Sequence, residues 1–86
     1  MKQQTSVTLD KPMILGTDEA LSVMQFHRGE NGGLMLNVGQ RSYPIQNNLT
    51  FNYQGVRCSL QINKQQNNQI DFSLMGQQKL LLIIQQ

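Results

Sequence analysis

Val56-Arg57-Cys58-Ser59-Leu60-Gln61-Ile62 carries apolar side chains at 56, 58, 60 and 62 and polar ones at 57, 59 and 61. Successive side chains of a strand point to opposite faces, so this period of two describes an antiparallel strand with one face buried. Upstream, Gln54-Gly55 reads as a two-residue turn, with Gly55 free to adopt positive φ. Before it, Leu49, Phe51 and Tyr53 alternate in the same way. Downstream, residues 64–68 read as a hairpin loop, and Ile70, Phe72 and Leu74 alternate with Asp71 and Ser73.

A shift of 36 residues lays this pattern on the first half of the chain. Met13 falls on Leu49, Leu15 on Phe51, Met24 on Leu60 and Phe26 on Ile62. Leu34 falls on Ile70, Leu36 on Phe72 and Val38 on Leu74; after one added residue, Met75, Gly39-Gln40 falls on Gly76-Gln77. Few of the matched residues are identical, so the shared element is the period, which convergent strand patterning also produces. The expectation is two hairpin units, about 13–48 and 49–86, packed on each other within a single domain of residues 1–86.

The remaining segments fit that frame. Val7 and Leu9 mark a first short strand, broken at Asp10-Lys11-Pro12, and Met13 to Leu15 continue extended. Residues 20–27 read as a long strand, with Ala20, Ser22, Met24 and Phe26 on one face and Leu21, Val23, Gln25 and His27 on the other. A short helix over 18–26 is the competing reading, and the match to 56–62 decides against it. Residues 28–33 form a glycine-rich hairpin loop. Pro44 marks an edge or a strand end. The last strand, residues 79–84, is apolar on both faces. About seven to eight short strands joined by tight turns predict an all-β fold, an antiparallel meander rolled into a small barrel or a two-sheet sandwich.

Composition narrows the function. The chain has 86 residues, no Trp, three Phe and two Tyr, so the core is aliphatic and Met-rich. A chain of this size buries only about 60–65% of its extended surface, and a partner surface can complete that burial. Seven Lys and Arg oppose five Asp and Glu, far from the dense basic footprint of a strong nucleic-acid binder. Fourteen Gln and eight Asn supply a neutral hydrogen-bonding surface instead of charge. Such strands are prone to edge association where their edges are bare.

The chemistry available is sparse. Cys58 is the only cysteine, which excludes an internal disulfide and a thiolate zinc site, and its parity places it in the core. His27 is the only imidazole and faces away from Cys58, so no nucleophile–base pair forms. Asp18 and Glu19 are adjacent and point to opposite faces of an extended chain, which suits a turn rather than an acid–base dyad. No enzyme, cofactor or metal site is expected. The glycine-rich loop precedes a strand, so it matches neither phosphate-binding fingerprint. The opening Met-Lys-Gln-Gln-Thr-Ser has no apolar run, residues 80–84 are too short for a spanning helix, and a lone reduced cysteine fits a cytoplasmic setting.

Two surfaces ask for a partner. Leu21, Val23 and Met35 lie opposite the core face of their hairpin, and Leu81 and Ile83 do so in the last strand if Leu80, Leu82 and Ile84 point inward. The corresponding positions of the second hairpin are Arg57, Ser59 and Asp71. The expectation is a non-catalytic binding or assembly module that acts by protein–protein contact and self-associates through this face or the last strand; the bland alternative is that the first and last strands cover the face. A second expectation is RNA or single-stranded nucleic-acid binding, with His27, Arg28, Arg41, Tyr43, Arg57 and Lys64 as contacts, and Tyr53 and Lys79 as further candidates.

Asp71-Phe72-Ser73-Leu74-Met75-Gly76 resembles the Asp/Asn-x-Ser-x-x-Gly motif of PilZ domains, which are β-barrels that bind cyclic di-GMP. The resemblance covers six residues and implies a cyclic-dinucleotide site at Asp71, Ser73 and Gly76. The family's upstream Arg-x-x-x-Arg clamp is missing, since Arg28, Arg41 and Arg57 stand singly, and few residues follow Gly76. The two-hairpin pattern also resembles small RNA-binding regulators of the carbon-storage type, without their arginine-bearing first strand.

Overall fold

The computed structural model describes residues 2–84, the side chain of Lys2 excepted. These residues form nine strands and no helix: β1 (Lys2–Thr8), β2 (Met13–Gly16), β3 (Leu21–Arg28), β4 (Leu34–Val38), β5 (Arg41–Pro44), β6 (Asn48–Tyr53), β7 (Val56–Gln66), β8 (Gln69–Gly76) and β9 (Leu81–Ile84). They pair as two antiparallel sheets, one in the order β1-β8-β7-β6 and the other β5-β4-β3-β2-β9. No ladder joins the sheets among the described residues, so of the two architectures expected the chain adopts the sandwich. Among the described residues no helix is long and apolar enough to cross a membrane.

The shift of 36 holds at the level of the ladders. Met13 opposes Met24 and Leu15 opposes Ser22, as Leu49 opposes Leu60 and Phe51 opposes Cys58. Met24 opposes Val38 and Phe26 opposes Leu36, as Leu60 opposes Leu74 and Ile62 opposes Phe72. A one-residue slip would turn every inward side chain to solvent, so the buried alternation holds both registers. The inward side chains form one core, in which Phe26 and Phe72 meet edge to face with ring centroids 5.1 Å apart. Leu36, Leu60 and Cys58 lie fully buried in the same cluster.

The two halves differ at their closing strands. In the first half β5 pairs with β4; in the second, β9 leaves β8 and pairs with β2 in the opposite sheet. β1 takes the vacated place beside β8. Gly76 opens the crossover: a β-carbon there would meet Leu80 Cδ1 at 2.5 Å and the Gln78 carbonyl at 2.8 Å. Its absence lets the chain turn tightly and drive Leu80 into the core. Gln3 Nε2 then donates to the Leu80 carbonyl at 3.1 Å, tying the crossover to β1.

Some boundaries differ from expectation. The loop at residues 64–68 is a two-residue turn, Asn67-Asn68, with Asn67 at φ 57°. The register slips by one residue between Ile62 and Lys64, and beyond this bulge Lys64 faces Asp71 and the strands run on to Gln66 and Gln69. β1 is longer than the Val7–Leu9 reading because seven consecutive pairs with β8 extend it, and Asp10 at φ 68° ends it. β9 starts at Leu81, two residues later than expected, because Leu80 is spent on the crossover.

Candidate functional site

The even-numbered side chains Met24 and Phe26 of β3 point into the core, which sends Leu21, Val23, Gln25 and His27 outward. In β2, burial of Met13 and Leu15 sends Ile14 outward; in β9, Leu81 and Ile83 are the outward pair. Cross-strand register then builds two rows: Leu21, Gly16 and Leu81, and beside it Val23, Ile14 and Ile83. Leu21 is 66% exposed, Val23 50%, Leu81 49% and Ile83 44%. Gly16 matters at the centre, because a β-carbon there would run into Leu21 Cδ2; without one, the Leu21 side chain lies down over β2.

These side chains show on the order of 400 Å² of contiguous apolar surface, in the range where the largest patch on a soluble monomer is often functional. Neither row contains a charged residue. A polar rim borders it on β3 and β4. Gln25 Nε2 donates to the Asp10 carbonyl. Asn37 Oδ1 accepts from Ser42 Oγ at 2.6 Å and sits 2.9 Å from His27 Nε2.

Four of the five sequence-predicted interface residues therefore meet: Leu21, Val23, Leu81 and Ile83. Met35 does not join them. It opposes His27 and Pro44, half-buried, on the far side of the Gln25–Asn37 pair. Ile14 was missed, although its parity between the inward Met13 and Leu15 already pointed it outward. The first and last strands do not cover the patch: β1 lies in the other sheet, and β9 enlarges it.

The candidate nucleic-acid contacts are dispersed. His27 sits on the outer face of the β5-β4-β3-β2-β9 sheet, half-buried and held to Asn37. Arg28 is at the β3–β4 loop, its guanidinium donating to Gln65 Oε1 at 3.2 Å. Arg41 and Tyr43 are on edge strand β5, and Tyr43 packs on Phe51 with ring centroids 5.6 Å apart. Arg57 is exposed on β7 in the opposite sheet, and Lys64 faces Asp71 past the bulge. Tyr53 is buried and offers no stacking surface, and Lys79 lies with Thr17, Asp18 and Glu19 around a small cleft.

No cluster of three or more His, Cys, Asp or Glu side chains forms among the described residues. Asp18 and Glu19 are exposed in the β2–β3 turn, where the Glu19 amide donates to Thr17 Oγ1. Cys58 is a buried free thiol; burial pushes its pKa up, against a weaker lowering by a backbone hydrogen bond from Tyr53. In the segment resembling the PilZ motif, Ser73 is buried with its hydroxyl accepting from Asn63 Nδ2 at 2.8 Å, and Gly76 ends β8 at the crossover. Neither a family model, nor a curated protein, nor a solved structure matches the chain.

Proposed function

We propose that this protein is a non-catalytic β-sandwich module that acts by protein–protein contact and self-associates through the outer face of β3, β2 and β9. The observation that carries the reading is the gathering of Leu21, Val23, Leu81 and Ile83 around Ile14 and Gly16. A second copy is the occupant that fits. A two-fold contact sets the same patch of each copy against the other, and the two rows have no charge to repel themselves. A stable dimer hides about 800 Å² per partner, with a largely apolar centre and a polar rim. An apolar centre of about 400 Å², bordered on the β4 side by Gln25, Asn37 and Ser42, fits that anatomy. A cytoplasmic setting belongs to the same reading, supported by Cys58 as a free thiol.

Nucleic-acid binding is the competing reading, and the scatter of Arg28, Arg41, Arg57 and Lys64 over both sheets provides no single cationic face for it. Light scattering tests both, at low and high salt, with and without an RNA pool. The expected result is a dimer or larger species that tolerates salt and becomes a monomer in Val23→Lys with an unchanged β circular-dichroism spectrum. A wild-type monomer at every concentration overturns the reading. A mass increase only with RNA, lost steeply in salt, replaces it with the alternative.

A further inference from the structure

β6 is an open edge in the described structure, and its chemistry repeats that of β2. The Thr17 amide donates to the Ala20 carbonyl at 2.9 Å, which fixes the parity of the β2–β3 ladder. Directly opposed residues alternate between bonded and non-bonded pairs in an antiparallel ladder. The backbone groups of Ile14 and Gly16 therefore face away from β3, toward β9. In the second half the Ile62 amide donates to the Asn47 carbonyl at 2.8 Å, with Leu49↔Leu60, Phe51↔Cys58 and Tyr53↔Val56 following at the same parity. The N–H and C=O groups of Asn48, Thr50 and Asn52 thus face away from β7. Ile14 and Gly16 correspond to Thr50 and Asn52 under the shift of 36. Where β2 seats β9, β6 seats nothing among the described residues.

We infer that β6 is a second self-association site, which takes β6 of another copy in an antiparallel two-fold pair centred on Thr50. A two-fold perpendicular to the sheet keeps outward side chains outward, so the axis passes midway between one residue and the same residue of the second copy. At Thr50 it sets Thr50 against Thr50, Asn48 against Asn52 and Leu49 against Phe51 of the second copy. Outward amides and hydroxyls then meet their own kind, which favours cross-strand hydrogen bonding. Apolar Leu49, left half-exposed at this edge, meets apolar Phe51. Every open N–H and C=O of Asn48, Thr50 and Asn52 finds a partner.

Charge and length favour this edge. A two-fold contact penalises any charge near its axis, and β6 carries none. β5 carries Arg41 and Pro44, the features that blunt an edge, whereas β6 has neither proline nor charge; β9 also lacks both but is only four residues long. A depression of about 340 Å³ crosses the outer face of this sheet, from Asn48 and Thr50 on β6 over Ser59 and Gln61 to Ser73 and Met75 on β8, so no bulky side chain stands over β6 on that face. Pairing two six-residue edges hides on the order of 300 Å² per partner, well short of the area of a stable dimer. The β6 contact is therefore the weaker one. Two separate two-fold contacts on one chain extend a dimer into a linear assembly.

The inference goes beyond the apolar-face contact, and its test separates the two. Amide hydrogen exchange is followed by nuclear magnetic resonance in the Val23→Lys protein at low micromolar and at millimolar concentration. The Asn48, Thr50 and Asn52 amides are expected to slow by about ten-fold or more at the higher concentration. Thr50→Pro removes only the outward N–H at an edge position, and Thr50→Lys adds a charge without touching the ladder to β7; either abolishes the slowing. Exchange at these three amides that is independent of concentration overturns the β6 pairing and leaves the apolar-face contact standing. If Thr50→Lys instead makes the wild-type chain monomeric and Val23→Lys does not, the β6 pairing holds and the apolar-face reading falls.

Discussion

The phenolic hydroxyl of Tyr53 on β6 donates to the Leu15 carbonyl on β2 at 3.0 Å, across the sandwich and out of water. The same oxygen lies 2.9 Å from Ser22 Oγ on β3, from which it accepts. One side chain thus bonds both sheets and satisfies a carbonyl in a core where no buried side-chain polar atom among the described residues lacks a partner.

Tyr53→Phe keeps the ring and removes these bonds. The Leu15 carbonyl then stays buried with one partner fewer, and the expected loss is about 1–2 kcal/mol. Urea unfolding shows it as a lower midpoint at unchanged slope. An unchanged midpoint refutes the role given to this hydroxyl.

Leu81→Lys and Met35→Gln probe the extent of the proposed self-association surface. Leu81 lies in the apolar rows and Met35 beyond the His27–Asn37 pair. In sedimentation experiments Leu81→Lys is expected to shift the population to monomer and Met35→Gln to leave it unchanged. Equal effects of the two would show that the contact reaches across β4.

Cys58 makes stability depend on pH. Burial raises its pKa in the folded chain, so the folded state holds the proton more tightly than the unfolded state. As pH rises past the ordinary thiol value of about 8.5, the unfolded chain releases its proton first, and stability falls until the folded thiol also ionises. Below that window the thiol contributes no slope. The stability of wild type minus that of Cys58→Ala is expected to be flat in neutral solution and to decline in alkali. A difference that rises with pH contradicts the burial argument.

The β6–β7 turn offers a gain. Gln54 at φ 51° and Gly55 at φ 78° form a two-residue turn of the type that favours Asn-Gly. Gln54→Asn is expected to raise the thermal midpoint by a few degrees, and Gly55→Ala to lower stability by about 1 kcal/mol. No change in either variant would mean that the turn does not hold the hairpin's register.

The sequence rule of inward parity held along β4 and β7 up to its bulge, while in β8 Ser73 is buried although its parity is outward. Val56, Cys58 and Leu60, and Leu34, Leu36 and Val38, point inward as alternation required. The apolar face was legible for the same reason, since Leu21, Val23, Leu81 and Ile83 break the alternation on the solvent side. Met35 breaks it too and still lies apart, because distance along β3 and β4 is a matter of pairing rather than parity. The bulge at Asn63 was equally hidden: one extra residue leaves local composition unchanged and shows only when Lys64 is seen opposite Asp71.

Alternation and turn residues sufficed for strand identity, inward faces and the shared register of the two halves, because these depend on neighbours a few positions apart. The exchange of closing strands, with β9 on β2 and β1 beside β8, depended on the assembled fold. Leu80 is inserted past Gly76 into a core built from both sheets, and the strand that follows pairs with the free edge within its reach. That long-range competition decided where the apolar rows meet and left β6 as an edge among the described residues.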